Sequence, residues 1–311
     1  MQHPARRGRL VVVTRRGWLL FTAMAVLWGI PYLLIRVAVR QLDPGVLVLF
    51  RTAPASLLLV PVVTHQRAWP ALVRNIRWIV VFGVVEFGVP WFLMSTSERH
   101  INSSLTSLII CAVPLFSVVA GRLSNHHEPI GVRRFSGLIC GALGVALLVG
   151  LDLKGGSITW IGLMLIVCVG YSIGPIILAT KLRDVPGPAV VCGATGIVAL
   201  GWIPYVSLHW PAHVSGETWT SVGVLSVFCT AGAFLVFGEL VKEAGSSRSV
   251  VVVYSNTALA VLLGVVGLHE PFTVGIALGF PLIVLGSYLA TGVARRVADD
   301  VGRHPDVALH D

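Results

Sequence analysis

Ten apolar stretches of about twenty residues run through this chain with only short polar connections between them: 17–39, 44–64, 76–95, 103–121, 133–150, 159–180, 187–206, 218–238, 248–267 and 272–293. A helix needs roughly 20 apolar residues to cross about 30 Å of hydrocarbon, so ten crossings take around 200 residues and leave about a hundred for connections. A 311-residue chain accommodates that arrangement. Only 12% of its residues are charged, which is about half of what a water-soluble domain uses to coat its surface. A soluble globule and a disordered chain are both excluded, and 33 glycines without a triplet period exclude collagen. The fold class expected is an all-α membrane protein with ten transmembrane helices. The net charge of +9 does not indicate nucleic acid, because the basic residues are scattered singly between apolar runs rather than gathered on one module.

Those basic residues orient the chain. With the N-terminus placed in the cytoplasm, 18 of the 23 Lys and Arg residues fall on the cytoplasmic side. Arg36, Arg40, Arg99 and Lys154 fall on the other side, and Arg51 lies inside a stretch. Lysine and arginine resist translocation, so the split supports both the number of spans and a cytoplasmic location for both termini in a cell membrane. Residues 1–16 form a basic cytoplasmic segment, and 294–311 a polar tail with no apolar period, expected to be disordered. Thr14-Arg15-Arg16-Gly17 is similar to a twin-arginine export signal. The hydrophobic run continues far beyond any cleavage site, however, and is read as an uncleaved first helix.

A shift of 142 residues lays His127-Glu128-Pro129 on His269-Glu270-Pro271, Gly137 on Gly279, Gly144 on Gly286, Leu147 on Leu289 and Gly150 on Gly292 without a gap. The chain is therefore read as two five-helix units, 17–150 and 159–293. An odd number of helices per unit makes the second cross the membrane in the opposite sense. Two inverted repeats suit alternating access around a site near the midplane, although duplication can also simply build a stable bundle.

Polar residues inside the stretches are the candidate site. Glu86 lies ten residues from the cytoplasmic end of the third stretch, about 15 Å deep, on one helical stripe with Gly83, Pro90, Met94 and Ser97. An ionised carboxylate facing hydrocarbon costs several kcal/mol, so Glu86 should face a wet cavity or a partner. Arg51 sits about 10 Å deep in the second stretch, which permits an Arg51–Glu86 pair, either as a structural lock or as part of a substrate or proton site. Asn256, a mid-span amide, is expected opposite Glu86, where it would read a polar ligand. Ser107 belongs to a stripe of small residues in the fourth stretch that either lines a cavity or lets helices pack closely. Trp28, Tyr32, Trp91 and Tyr254 are candidates for an aromatic lining. Pro31, Pro90, Pro114 and Pro175 are candidate hinges that free backbone carbonyls. Trp18, Trp69, Trp78, Trp210 and Trp219 read as interfacial anchors. The patterns Gly137-xxx-Gly141 and Gly275-xxx-Gly279 predict close contacts within the bundle, with a homodimer face as the alternative.

Trp28-Gly29, Arg51, Pro114, the Glu-Pro pairs at Glu128-Pro129 and Glu270-Pro271, and the Gly-rich fifth and tenth stretches together resemble the EamA-like family of the drug/metabolite transporter superfamily, ten-helix type, over about 17–293. The chain departs from that pattern at Thr257, where a proline is usual. The resemblance implies a secondary transporter, often an exporter of amino acids, other small metabolites or drugs, with a central cavity lined by both repeats.

Enzymatic machinery is not legible. His126-His127-Glu128 lacks the HExxH spacing, and neighbouring residues point apart on a helix; His209 and His213 flank Pro211 in a loop. No phosphate-cradling GxxxxGK[ST] occurs, and no metal and no cofactor are expected. The five cysteines all lie in apolar runs and read as packing residues. The leading reading is a non-enzymatic transporter of a small molecule, with protons as a candidate coupling ion. The alternatives are an intramembrane enzyme or lipid flippase, or a non-transporting receptor. Green fluorescent protein fused after Arg296 should fluoresce, and alkaline phosphatase fused at the same point should be inactive; an active phosphatase there would reverse the orientation.

Overall fold

The computed structural model describes residues 14–123, 132–152, 157–244 and 252–291. All ten apolar stretches are helical across those residues, and no strand occurs among them. Seven helices are long and apolar enough to cross a membrane: Arg15–Ala38, Pro44–His65, Ile76–Ser97, Ser103–Gly121, Ile158–Lys181, Gly187–Leu208 and Gly216–Glu243. Three shorter apolar helices, Phe135–Leu147, Val252–Gly267 and Val274–Leu289, occupy stretches five, nine and ten. The chain is a multi-pass membrane protein. The His127-Glu128-Pro129 half of the repeat, most of the basic N-terminus and the polar tail lie outside the described residues.

Local chemistry sets where helices begin. Asp43 accepts from the Gly45 N–H at 3.0 Å with Pro44 at the first helical position, which opens stretch two. Asn102 caps stretch four through the Leu105 N–H at 2.9 Å, and Ser215 caps stretch eight through the Thr218 N–H at 3.3 Å. Stretch four breaks after Ile110 and resumes at Val113, with Pro114 in the new first turn. Stretch nine, which carries Thr257 at the corresponding place, runs unbroken from Val252 to Gly267. Proline lacks the N–H that would continue the ladder, whereas the Thr257 hydroxyl bonds back to the Val253 carbonyl at 2.8 Å. Pro31 and Pro175 stand inside continuous helices, and Pro90 directly follows a π-helical segment.

Packing follows the duplication. Stretch two lies against seven and five against ten; one packs on eight and nine, and six on three and four. Exchanging the halves maps each of these contacts onto itself or onto another in the set. The π-helical segments obey the same exchange: Val84–Gly88 in stretch three and Val227–Gly232 in stretch eight begin at equivalent positions. Thr52 and Thr195 match too, each returning its hydroxyl to the carbonyl four residues back at 2.7 Å.

Lipid tails are as apolar as leucine, so helices associate in a bilayer by close backbone approach rather than by hiding apolar surface from water. Stretches five and ten do this through glycine. A Cβ built on Gly286 would lie 2.3 Å from the Gly141 nitrogen and 2.7 Å from the Gly137 carbonyl oxygen, and one on Gly144 would lie 2.7 Å from the Ile283 nitrogen. Gly137-xxx-Gly141 is thus occupied within the chain. Leu57, Leu200, Leu262 and Leu285 point outward and are exposed, as a surface solvated by lipid requires. Gly286→Ala should destabilise by about 1–3 kcal/mol, because backbone rather than a flexible side chain must give way. Gly162→Ala, with nothing within 4 Å, is the control expected to melt like the wild type in a thermal shift assay.

Candidate functional site

Arg51 is buried, with 6% of its surface exposed, and its guanidinium carbon lies 3.6 Å from the centroid of the Trp91 ring. Its Nε donates to the Thr230 hydroxyl of the second π-helical segment at 3.2 Å, and that hydroxyl donates in turn to the Leu225 carbonyl at 2.8 Å. The four Nη hydrogens have no hydrogen-bond partner among the described residues. A guanidinium held by a cation–π face and one hydrogen bond is oriented but keeps its carboxylate-binding edge free.

Trp91 is set by its neighbours. Its ring lies 4.9 Å from Phe87, which meets Phe82 at 5.6 Å and Phe234 at 5.5 Å; Phe234 reaches Trp28 at 6.0 Å, and Trp28 packs on Phe237 at 4.9 Å. The Tyr171 hydroxyl of stretch six lies beside Trp91, between the opposite fields of Arg51 and Glu86. Tyr32 of stretch one is buried next to this group. Stretches one, two and three of the first unit and six and eight of the second therefore converge on Arg51.

Glu86 projects from the first π-helical segment onto stretch six. A Cβ on Gly174 would lie on its Oε2, and one on Gly170 would lie 2.6 Å from the Val85 carbonyl oxygen. The Oε2 is buried without a hydrogen-bond partner. Extra space opens there because a π turn widens the helix while two glycines thin the one facing it. The Arg51–Glu86 ion pair permitted by depth is not formed: Arg51 turns to Trp91 and Thr230, while Glu86 turns to Gly174. Depth constrains one coordinate of a side chain, and the rotation of its helix decides the other two.

Other expectations land elsewhere. Asn256 is buried where Gly29 of stretch one crosses its main-chain carbonyl, and it accepts from the Thr257 hydroxyl at 3.3 Å, with no hydrogen bond to Glu86. Ser107 is buried and returns its hydroxyl to the Ser104 carbonyl at 2.9 Å. Tyr254 lines an apolar groove of about 500 Å³ with Phe280, Pro281, Val284, Leu285 and Tyr288, apart from the Arg51 group. Trp28 and Trp91 do stand in one aromatic chain.

Sequence reasoning missed Tyr171, Thr230 and Glu98. The interval that superposes Thr52 on Thr195, one residue longer than the 142-residue shift, could have found Tyr171, because it puts Tyr171 opposite Trp28. Glu98 ends stretch three with no exposed surface, and both carboxylate oxygens lack a hydrogen-bond partner. Burial pushes its carboxyl well above the usual carboxylate range; Arg36 opposes that shift, Glu270 adds to it, and Arg51 opposes it.

The model of the EamA-like transporter family matches residues 15–150 and again 158–292. The chain belongs to the EamA-like transporter family. Like other EamA proteins of the drug/metabolite transporter superfamily, it carries the family unit twice. It is 22% identical to an "uncharacterized transporter" of Archaeoglobus fulgidus across 88% of this chain and 98% of that protein. It is 25% identical to the transporter YvbV of Bacillus subtilis (86% and 89%) and 23% identical to the inner membrane transporter YedA of Escherichia coli K12 (78% and 79%). A solved crystal structure shares the fold with a TM-score of 0.62 at 19% identity, covering 90% of this EamA chain and 98% of the other.

Thr230→Val removes the only acceptor that Arg51 has among the described residues and should cost about 1–3 kcal/mol of stability. Ser226→Ala, one turn earlier, removes a buried hydroxyl that has no partner and should be neutral or stabilising; a thermal melt of both variants separates the two cases.

Proposed function

We propose that this EamA protein is a secondary transporter that carries a small carboxylate-bearing metabolite, of amino-acid size, across the cytoplasmic membrane. Ten spans in two inverted units (17–150 and 159–293) would give the two nearly equivalent states that alternating access requires. The lysine and arginine asymmetry puts both termini in the cytoplasm, so the end carrying residues 98–104 faces outward. Export is the direction that the family resemblance implies.

The observation that carries this reading is Arg51: a buried, always-charged group with free donors, held at the junction of both units. The scaffold does not demand it. The interval that superposes Thr52 on Thr195 puts Ala194 opposite Arg51 and Cys229 opposite Glu86. The two units thus share Thr52 and Thr195 and differ at these two charges, as expected where an asymmetric ligand is read. The Arg51 edge suits a carboxylate, the Trp91 and Phe87 rings suit an apolar body, and Glu86 across Tyr171 suits an amine.

Counterflow in proteoliposomes, using a panel of amino acids beside their amides and their deamino counterparts, tests the assignment. Acids should exchange and amides should not. Arg51→Gln should weaken apparent affinity about 10- to 100-fold, the loss expected for one charge-assisted hydrogen-bonded pair. Arg51→Lys should recover only part of this, because an ammonium cannot both stack on Trp91 and present a fork. Glu86→Gln should selectively impair the amine-bearing substrates. Full transport by Arg51→Gln would remove Arg51 from the site.

A further inference from the structure

The connection from stretch three to stretch four, residues 98–104, is held from two sides. On one side the Arg36 guanidinium of stretch one donates to the main-chain carbonyls of Glu98 and Ile101, the latter at 3.4 Å. On the other, the Glu270 carboxylate accepts four hydrogen bonds: from the Ser103 N–H and hydroxyl at 2.7 and 2.9 Å, and from the Ser104 N–H and hydroxyl at 3.0 and 2.6 Å. Glu270 reaches them across Gly264, where a Cβ would lie 2.4 Å from the Ser104 hydroxyl and 2.5 Å from the Glu270 Oε2.

Inside this closure lies the Glu98 carboxyl, fully buried, with neither oxygen hydrogen-bonded. The charged and titratable groups acting on it are Arg36 of stretch one, Arg51 of stretch two, Glu270 of the connection before stretch ten, and the Tyr32 hydroxyl. Neither arginine forms an ion pair with the carboxylate: Arg36 is engaged with main-chain carbonyls and Arg51 with Thr230 and Trp91. On its own turn, Arg99 is committed to the Leu42 carbonyl at 2.8 Å and to Asp43 at 3.7 Å, and His100 stacks on Trp160 at 3.7 Å. A carboxylate sealed from water without a partner, with a second carboxylate nearby, is stable only as the neutral acid.

We propose that Glu98 is the proton site that couples pH to opening of this end of the molecule. It holds a proton on a carboxyl oxygen while the 98–104 connection is closed over it, and gives that proton to water when the connection lifts. The sign follows from linkage: a site that binds its proton more tightly in the closed arrangement stabilises closure as pH falls and favours opening as pH rises through its closed-state pKa. Identifying the opening with a step of transport rests on the function proposed above; the opening itself does not.

Hydrogen–deuterium exchange of the full chain in lipid nanodiscs, read by mass spectrometry over a pH series and corrected for intrinsic exchange, measures exposure of the 98–105 amides with no substrate present. Wild-type protection should fall about tenfold per pH unit between the open-state and closed-state pKa values, where one proton leaves per opening, and level off above the latter. Glu98→Gln, neutral at every pH, should stay protected throughout, and Glu98→Asp should restore the transition. Peptides from the middle of stretch seven should show no slope in any of the three. A flat wild-type profile would overturn the proposal. So would a wild-type slope retained by Glu98→Gln, or one kept there but lost in Glu270→Gln, which would move the proton to Glu270. If Glu98→Gln does not fold, the wild-type slope and its displacement in Glu98→Asp decide the matter. The assay contains no transported molecule, so its failure and a failure of the counterflow experiment are separate results.

Discussion

The bilayer core holds no water to satisfy a bare peptide group, so every backbone donor and acceptor that crosses it must be paired within the protein. Two departures from regular α-helix among the described residues, the π-helical segments, are therefore informative. The widened turn at Val84–Gly88 lies under Gly170 and Gly174 of stretch six, whose missing side chains admit the Val85 carbonyl and the Glu86 carboxyl. Its counterpart at Val227–Gly232 offers Thr230 to Arg51. Irregular backbone thus sits where the two units meet, and that is where the charged side chains gather.

Duplication supplies the frame, and its breakage supplies the chemistry. Several features come in pairs, such as Thr52 with Thr195 and the two π-helical segments. Arg51 and Glu86 do not: a small alanine and a cysteine stand in their places in the other unit. Intramembrane charge is costly, so a charge that symmetry does not explain calls for a functional reason. The aromatic chain from Trp28 through Phe234 and Phe87 to Trp91 joins the units across the same centre and holds the guanidinium against one ring face.

At the end of the molecule that carries residues 98–104, polar contacts join several stretches. Gln41 accepts from the Ser215 N–H and the Thr218 hydroxyl, Tyr205 donates to Asp43, and Arg99 binds the Leu42 carbonyl. With Arg36 and Glu270 these contacts tie the ends of stretches one, three, seven and nine to the starts of two, four, eight and ten. Among the described residues of the opposite end, Arg16 binds Glu239 and Thr14 binds Glu243, both exposed. Surface ion pairs of that kind are worth little, whereas buried multi-centred contacts define one arrangement. The contacts at the 98–104 end are of the second kind.

Hydropathy, charge placement and internal repetition are sums along the chain, so the sequence by itself determined that this is a helical multi-pass membrane protein built twice, where its apolar stretches lie, and that Arg51, Glu86 and Trp91 are worth watching. Thr257 was equally legible, because the absence of proline is a local fact and its helix duly runs unbroken. What only the tertiary structure decided is who meets whom. Arg51 binds Thr230, 179 residues away, rather than the Glu86 that depth allowed, and Asn256 and Ser107 turn to their own neighbours. Glu98 reads in the sequence as an ordinary loop acid beside Arg99 and is instead sealed inside. Pairing across helices depends on the rotation of each helix and on the space glycines leave for it. Both are set by all the contacts together and by no single stretch of residues.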